Sequence, residues 1–171
     1  MARNWSEKIV SFDKLEAHAK KLHSICRGHP NYEYKVVATN GCFELIHPGH
    51  IDFLEKAAAL GHFLIVGINS DEGLNEYKGK IRTPYTEKER AKLLSSLECV
   101  DYVTVFPGNK ATVFLNTVKP DIYVKGGDYT PETLDPVEKK VLDECGAEIK
   151  IIPFLSGYST TEIINKIKCI P

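Results

Sequence analysis

The sequence lacks a long apolar run, a paired set of cysteines and an excess of charge of either sign. Its five cysteines are scattered and form no C-x-x-C pair, which argues against a disulfide framework and against a structural zinc site. No apolar stretch approaches the ~20 residues needed to cross a membrane. The N-terminal segment 1–9 is polar, unlike a signal peptide. We therefore expect a cytoplasmic protein with no membrane partner.

The balance of charge excludes a second class of partners. The chain carries 22 Lys+Arg against 23 Asp+Glu, a net charge of -1. Such a chain has no overall field that would attract nucleic acid, so no nucleic-acid partner is expected and any basic site must be local. A length of 171 residues with 43% hydrophobic content predicts a single domain over residues 1–171 with a sizeable core.

Short β-rich runs alternate with helical patterns along the chain. Strands are predicted at 35–39, 63–68, 102–106, 122–125 and 148–152, since these segments are rich in Val, Ile and Tyr and lack strict alternation. The alternation predicts an α/β fold with a doubly wound, five-stranded parallel sheet. Residues 1–34 are predicted to form an N-terminal helical extension, with a helix over 14–25 and a turn at 28–31. That helix is also a candidate surface for a homodimer.

Several helix starts can be located by their capping residues. Asp13, Thr86 and Ser159 each precede a glutamate by three residues, as in a capping box, and Asp135 precedes Pro136. In open α/β sheets the ligand binds at the carboxyl ends of the strands. We therefore expect the site within segments 40–50, 69–71, 125–128 and 153–161.

The segment between the first strand and the next helix carries the strongest functional signal. It reads NGCFELIHPGH over residues 40–50, with Gly41 permitting close backbone approach and a helix opening around Pro48. A helix N-terminus offers free N–H groups to an anion, and His47 and His50 add two donors at the same terminus. A zinc pair is the alternative, with no third Cys or His ligand in view. The pattern favours a phosphate site.

A basic run over residues 78–90 has two interpretations. Such a run is by default a solvated face, and this interpretation is kept for Lys80 and Lys88. Lys78 and Arg82, however, lie in a loop containing glycine and proline that could fold over a triphosphate. Sequence alone leaves both interpretations open for these two residues.

Two further segments also have a structural and a functional interpretation. The GGD segment at 126–128 follows a predicted strand, so it forms either a tight turn or a backbone contact with a base or sugar. The STT segment at 159–161 opens the last helix, where its hydroxyls can cap the helix, bind a second phosphate, or do both.

Four segments in order, NGCFELIHPGH, INSDE, KPDIYVKGGDY and GYSTTEIINKI, resemble the HIGH-motif nucleotidyltransferase superfamily. Within it they look most like the D-glycero-β-D-manno-heptose 1-phosphate adenylyltransferases, the transferase domain of bifunctional ADP-heptose synthesis proteins. The resemblance runs from about residue 8 to residue 167. It implies a Rossmann-like nucleotidyltransferase fold and a Mg²⁺-assisted transfer of AMP from ATP to a sugar 1-phosphate, giving an ADP-sugar and pyrophosphate. It also implies that a separate sugar kinase supplies the sugar phosphate.

The resemblance assigns roles to the residues that match the family's motifs. Two histidines and a lysine would stabilise charge on the reacting phosphate oxygens, and strand ends, a loop arginine and the last helix would hold the nucleotide. The catalytic set is His47, His50 and Lys78; the nucleotide-binding set is Asn40, Gly41, Cys42, Phe43, Arg82, Lys125, Gly126, Gly127, Asp128, Ser159, Thr160 and Thr161.

Two other functions compete with this one. Cytidylyltransferases acting on glycerol 3-phosphate or a related alcohol phosphate share the HxGH and STT elements, although the KGGDY segment at 125–129 favours the heptose type. A non-catalytic nucleotide-binding module is the other alternative, but a binding role alone does not need both His47 and His50.

Overall fold

The computed structural model describes residues 4–29, 34–78, 83–127 and 133–170, without the side chains of residues 77 and 78. A short 3-10 helix, Trp5–Lys8, precedes the first α-helix. The strands are β1 (Val36–Gly41), β2 (Phe63–Asn69), β3 (Tyr102–Phe106), β4 (Ile122–Gly126) and β5 (Glu148–Ile152). The α-helices are α1 (Phe12–Gly28), α2 (Pro48–Ala58), α3 (Asp71–Lys78), α4 (Glu87–Ser95), α5 (Thr112–Val118), α6 (Pro136–Cys145) and α7 (Thr160–Lys168).

Within the described residues the strands form a five-stranded sheet in the order β3-β2-β1-β4-β5. All of its neighbouring strands run parallel, and β1 lies at the centre, paired with β2 on one side and β4 on the other. This arrangement confirms the predicted fold. Because the chain order reverses between β1 and β4, their carboxyl ends form the crevice in which ligands of such sheets bind.

Side chains alternate across the sheet and so build two cores. Along β1, Val36 and Ala38 pack into one cluster, whereas Val37 packs into the other. The first cluster contains residues of α1, α5 and α6, and we call this side of the sheet the α5–α6 face. The second contains residues of α2 and α4, and we call it the α2 face. The period of two along each strand therefore decides which helix a strand residue meets.

The first helix begins earlier and ends later than the sequence predicted. Its N-cap is Ser11 and it runs through Gly28, so the assignment of Asp13 as the cap is wrong. Asp13 instead lies in the first turn, where a hydrogen bond with Ser11 lowers the pKa of its carboxyl. The expected turn at 28–31 is also wrong at Gly28, and residues 30 and 31 lie outside the described residues. Leu15 is fully buried in the core of the α5–α6 face, so α1 is part of the packed domain.

The other caps follow the sequence more closely. Thr86 forms a complete capping box with Glu89, and Asp135 accepts hydrogen bonds from the backbone N–H groups of Val137 and Glu138.

The last helix, α7, differs from the rest because none of its residues is buried. Among the described residues, no helix is both long enough and apolar enough to span a bilayer.

Candidate nucleotide-binding site at the carboxyl ends of the strands

His47 is the residue that starts α2. It lies in extended backbone at the N-cap, and its Nδ1 accepts a hydrogen bond from the backbone N–H of His50 at 3.3 Å. A neutral imidazole carries its proton on one nitrogen, so this bond places the proton of His47 on Nε2. His47 is buried, and burial lowers the pKa of its imidazole. The sequence therefore uses a histidine in a position where Ser, Thr, Asp and Asn are usual caps.

The rings of His47 and His50 stack on each other. Their centroids lie 3.7 Å apart with 20° between the planes, and Phe43 packs against His50 with a centroid distance of 5.1 Å. Burial, reinforced by the neighbouring His47, lowers the pKa of His50 to about 4. Two stacked imidazoles in a poorly solvated place are therefore neutral near pH 7. Each can still donate one N–H to a phosphate oxygen.

Gly49 explains why the motif needs a glycine between its histidines. A Cβ at this position would lie 3.1 Å from His47 Nδ1 and 3.2 Å from the Cβ of Tyr158. The backbone of α2 therefore approaches the segment leading into α7 closely. As a result, the N-termini of α2 and α7 lie close together, although their residues are far apart in sequence.

Ser159 caps α7. Its hydroxyl accepts a hydrogen bond from the backbone N–H of Glu162 at 3.1 Å and donates to the Glu162 carboxylate at 3.2 Å. The predicted cap is thus present, and the described hydrogen bonds of the Ser159 hydroxyl are made within the cap. Thr160 is half-buried and Thr161 is exposed.

The loop after β1 turns sharply beside His50. Phe43 has a positive φ of 45° and its side chain is buried. A Cβ at Gly41 would lie 2.9 Å from the Phe43 ring. The glycine is therefore required because the aromatic ring folds back over the backbone of the strand end.

Arg90, on α4, forms a hydrogen bond that holds the loop after β1 in place. The sequence analysis had not singled out this residue. It is fully buried, and its guanidinium donates to the backbone carbonyls of Cys42 and Asn69, each at 2.7 Å. It also forms an ion pair with Asp71 at 2.9 Å. One side chain therefore ties together the carboxyl ends of β1 and β2 and the start of α3. Its guanidinium places five fixed donors where a lysine would place only one flexible group.

Gly126, the last residue of β4, and Gly127 lie against the ring of Phe154. Gly127 has a positive φ of 102°, and its N–H donates to the carbonyl of Ile152 at 2.9 Å. A Cβ at Gly127 would lie 2.3 Å from the Phe154 ring, and one at Gly126 would lie 2.8 Å from it. Both glycines are therefore needed for the close approach of the Phe154 ring, and the residues that would complete the predicted turn lie outside the described residues. Gly126 also faces the cleft.

A cleft of about 410 Å³ lies at the carboxyl edge of the sheet, and His47, Gly127, Ser159, Thr160 and Thr161 are not among its lining residues. Its walls come from the loop after β1, the ends of β2 and β4, the segment after β3, the start of α6, and the ring of Phe154. The lining residues that the site prediction had named are Asn40, Gly41, Cys42, Phe43, His50, Lys125 and Gly126; those it had not named include Asn109, Lys110, Asp135, Glu138 and Phe154.

Comparison with known proteins bears on what this cleft is for. Residues 38–166 match the model of the family described as cytidylyltransferase-like. The chain belongs to that family. The match confirms the assignment of the sequence to the HIGH-motif nucleotidyltransferases.

Individual relatives agree with the family match. The "Bifunctional protein HldE" of Citrifermentans bemidjiense is 41% identical over 166 residues, covering 97% of this chain and 32% of that protein. The protein of the same name from Helicobacter pylori J99 is 47% identical over 137 residues, covering 80% of this chain and 28% of that protein. The chain thus spans about a third or less of the length of these relatives.

A solved structure has the same fold. The crystal structure of the lipopolysaccharide core biosynthesis protein from Thermoplasma volcanium superposes with a TM-score of 0.58 at 30% sequence identity. The similarity covers 72% of this chain and 98% of that one. The family match over residues 38–166 covers β2 to β5, most of β1 and the segments that bear the motifs almost in full.

Some expected site residues lie outside what the structure describes. Arg82 and Asp128 are not among the described residues, and neither is Lys80; Lys78 ends α3, but its side chain is not described. Lys88 is exposed, as expected of a solvated face. The roles of Lys78, Arg82 and Asp128 stay predictions.

The cleft residues that the sequence analysis missed fall into two groups. Asn109 and Lys110 follow the carboxyl end of β3, and Glu138 lies in the first turn of α6. The rule that ligands bind at carboxyl ends of strands applies to β3 as well, so the segment after residue 106 carried a usable signal. Glu138 carried none, because it lies on a helix whose packing against the site is a tertiary feature.

The described residues also bear on the zinc alternative. Among them, no group of three or more His, Cys, Asp or Glu side chains is arranged to hold a metal ion. The Nδ1 of His47 is the acceptor in the helix cap, and the rings of His47 and His50 stack with their centroids 3.7 Å apart. Histidines that share a zinc ion point nitrogens at a common centre. The geometry is that of two donors lining a helix N-terminus.

Proposed function

We propose that this chain transfers AMP from ATP to a sugar 1-phosphate, namely heptose 1-phosphate, releasing pyrophosphate. The observation that carries the proposal is the pair of neutral, stacked imidazoles at the N-terminus of α2, beside the N-terminus of α7. Two helix N-termini supply partial positive charge and free N–H groups for a triphosphate. The relatives named bifunctional protein HldE, together with the resemblance to heptose 1-phosphate adenylyltransferases, support the choice of acceptor.

The reaction requires positioning more than covalent chemistry by the protein. A phosphate oxygen of the acceptor attacks the α-phosphorus of ATP, the bond to the β-phosphate breaks, and pyrophosphate leaves on the opposite side. His47 and His50 donate N–H groups to the phosphate oxygens on which charge accumulates. Thr160, Thr161 and the N-terminus of α7 bind the β- and γ-phosphates, and Ser159 maintains that terminus through its cap.

Three further groups complete the proposed nucleotide site. Lys78, the last residue of α3, and Arg82 contribute positive charge to the triphosphate. The wall formed by residues 41–43 is held in place by Arg90. Gly126 and Gly127 line the nucleoside pocket, with the exposed Phe154 ring next to them, and Asp128 contributes a further contact to the nucleoside.

Mg²⁺ fits this site as a companion of the nucleotide. The described residues offer no cluster of three or more metal-ligating side chains, and Mg²⁺ in phosphate-transfer sites takes most of its ligands from phosphates and water. Bound in that way, it would neutralise charge on the triphosphate. The side chains would then bind the MgATP complex as a whole.

The wider setting is also part of the proposal. The acceptor carries a phosphate before it reaches this site, so a sugar kinase must act first. We place the reaction in the cytoplasm, where ATP is available, and propose that the chain forms a homodimer.

A substrate panel tests the proposed function. Pyrophosphate release is measured with the four NTPs against heptose 1-phosphate, other sugar 1-phosphates and glycerol 3-phosphate. We expect the highest kcat/KM with ATP and heptose 1-phosphate, because a base pocket rejects a wrong base when its own buried groups go unpaired. A higher value with CTP and glycerol 3-phosphate would reverse the assignment. No pyrophosphate with any pair would support a non-catalytic module.

ATP binding is expected to be coupled to proton uptake at His50. The pKa of His50 is about 4 in the free protein, and a triphosphate beside the ring favours the charged form, which raises that pKa. Proton uptake by His50 on ATP binding should therefore be largest between pH 4 and the raised pKa of His50 in the complex. It should vanish well above that raised pKa. Titration calorimetry in two buffers of different ionisation enthalpy counts the protons.

The contribution of His50 is the difference in proton uptake between the wild type and a variant without the imidazole. ATP titrates near neutral pH itself, so the proton count of the His50→Asn variant is subtracted from that of the wild type at the same pH. Equal counts in the two proteins at pH 5.5 would show that no triphosphate charge reaches the His50 ring.

A further inference from the structure

A continuous chain of polar contacts crosses the α5–α6 face at the switch point of the sheet. The hydroxyl of Tyr123 donates to Asn40 Oδ1 at 2.5 Å and accepts from Lys125 Nζ at 3.1 Å. Lys125 Nζ lies 3.6 Å from Glu138 Oε2. The other Glu138 oxygen accepts from the backbone N–H of Ala111 at 3.1 Å. The chain thus links the ends of β1 and β4 to α6 and to the start of α5.

The direction of these bonds fixes the orientation of Asn40. An ammonium group can only donate, so the Tyr123 oxygen is the acceptor from Lys125 and its single proton goes to Asn40. Asn40 must then present its amide oxygen to Tyr123. Its NH₂ group, with two donors, is turned away from the tyrosine, and Asn40 itself lines the cleft. The buried hydroxyl of Tyr123 thus decides which atoms of Asn40 a ligand meets.

The charges in this chain are well shielded from water. Tyr123 is fully buried, and the side chains of Lys125 and Glu138 are 16% and 10% exposed. Groups held in this way keep their positions without the loss of side-chain entropy that a mobile surface lysine would incur on binding. Lys125 and Glu138 both line the cleft, so the ammonium group is presented to a ligand from a fixed place.

The two faces of the sheet separate this chain from the histidines. Tyr123 belongs to the core of the α5–α6 face. Asn40 and Lys125 have the same parity along their strands as Ala38 and Tyr123, so they lie on that face as well. Phe53 and Leu54 of α2, the helix that begins at the histidines, pack on the opposite face. In an in-line transfer the acceptor enters on the side of the α-phosphorus opposite to the leaving pyrophosphate.

We propose that Asn40 and Lys125 bind the phosphate of the acceptor substrate, and that Tyr123 and Glu138 are positioning residues that orient them. The inference rests on the proposed function, since it takes the N-termini of α2 and α7 as the place of the triphosphate. It changes the expectation from the sequence, in which Asn40 and Lys125 belonged to the nucleotide subsite. The cleft is thereby divided between ATP on the α2 face and a sugar phosphate on the α5–α6 face.

The test compares Tyr123→Phe and Lys125→Met with two matched controls. Tyr102→Phe removes a hydroxyl from edge strand β3, and Lys139→Met removes a charge from the exposed side of α6, where Lys139 pairs with Asp143. Pyrophosphate release gives kcat and the KM for heptose 1-phosphate, and calorimetry gives the Kd for ATP. Inorganic phosphate serves as a competitive inhibitor whose Ki is measured against each substrate.

We expect Tyr123→Phe to raise the acceptor KM about 10-fold and Lys125→Met to raise it more than 10-fold. In both variants the Kd for ATP should stay within about 2-fold of the wild type. The Ki for inorganic phosphate, competitive with the acceptor, should rise in Lys125→Met. The controls should match the wild type in all of these values. A merely structural role of Tyr123 would lower the melting temperature without separating acceptor KM from ATP affinity.

Two results would overturn the inference. If either variant weakens ATP binding and leaves the acceptor KM unchanged, the residues belong to the nucleotide subsite. If neither value moves, the chain of contacts has no ligand role. Should Tyr123→Phe unfold, Lys125→Met decides by the same two measurements. Failure of the wild type to release pyrophosphate in the substrate panel would instead refute the proposed function.

Discussion

Replacing His50 with alanine is expected to lower kcat by about 10²–10³, the usual loss for one preorganised donor at developing charge. His50 stacks on His47 at the N-terminus of α2 and lines the cleft. Its imidazole is therefore placed beside a ligand bound there. Steady-state pyrophosphate release with saturating ATP and acceptor measures the effect. Turnover within a few-fold of wild type would contradict the role.

His47 requires a more careful substitution because it also caps α2. His47→Ala removes the imidazole and the cap together, whereas His47→Asn removes the imidazole and keeps a favourable capping side chain. We expect both variants to lose about 10²–10³ in kcat and only His47→Ala to lose thermal stability as well. His62→Ala, a change at a histidine that stacks on Tyr34 and is remote from the cleft, is the control.

Replacing Arg90 with methionine is expected to lower the free energy of unfolding by about 3–5 kcal/mol. The substitution leaves the carbonyls of Cys42 and Asn69 without their donor and separates Asp71 from its ion-pair partner. Unfolding in urea, monitored by circular dichroism, gives the value. Because Arg90 holds the loop after β1, activity at temperatures where the variant is folded should fall too.

Two controls separate the effect of the directed hydrogen bonds of the Arg90 guanidinium from the effect of its positive charge. Arg90→Lys keeps the charge but cannot serve three acceptors in fixed directions, so it should remain clearly less stable than the wild type. Lys88→Met removes a positive charge from the same helix at an exposed position and should change stability by less than about 0.5 kcal/mol. A loss for Arg90→Met no greater than for Lys88→Met would mean that the buried contacts contribute nothing net.

Much of the fold could be predicted because its signals are local. The strands of a parallel sheet are covered on both faces, so each reads as a short apolar run wherever it lies in the chain. Thr86 and Asp135 identified helix starts because a cap and the N–H groups that it satisfies are at most three residues apart. Asp13 misled because Ser11, two residues earlier, is an equally good capping residue type.

The site could be predicted in part for the same reason. His47, His50 and the hydroxyls at 159–161 are attached to helix starts, and the helix starts were readable. Glu138 could not be predicted as a site residue, because it contacts Lys125 and Ala111 across the gap between α6 and the sheet. Charge in a sequence says nothing about burial, and so Arg90 looked like a member of an exposed basic run.

The sequence by itself therefore determined the order of strands and helices along the chain, the parallel, doubly wound class of the sheet and the residue types at its carboxyl edge. The tertiary structure decided what those residues are chemically. The low pKa of His50 depends on burial and on a stacked neighbour. The contacts of Arg90 reach carbonyls 48 and 21 residues away, and the bond from Tyr123 to Asn40 spans 83. Desolvation and hydrogen-bond direction are set by distances between remote residues, and these exist only once the chain has packed.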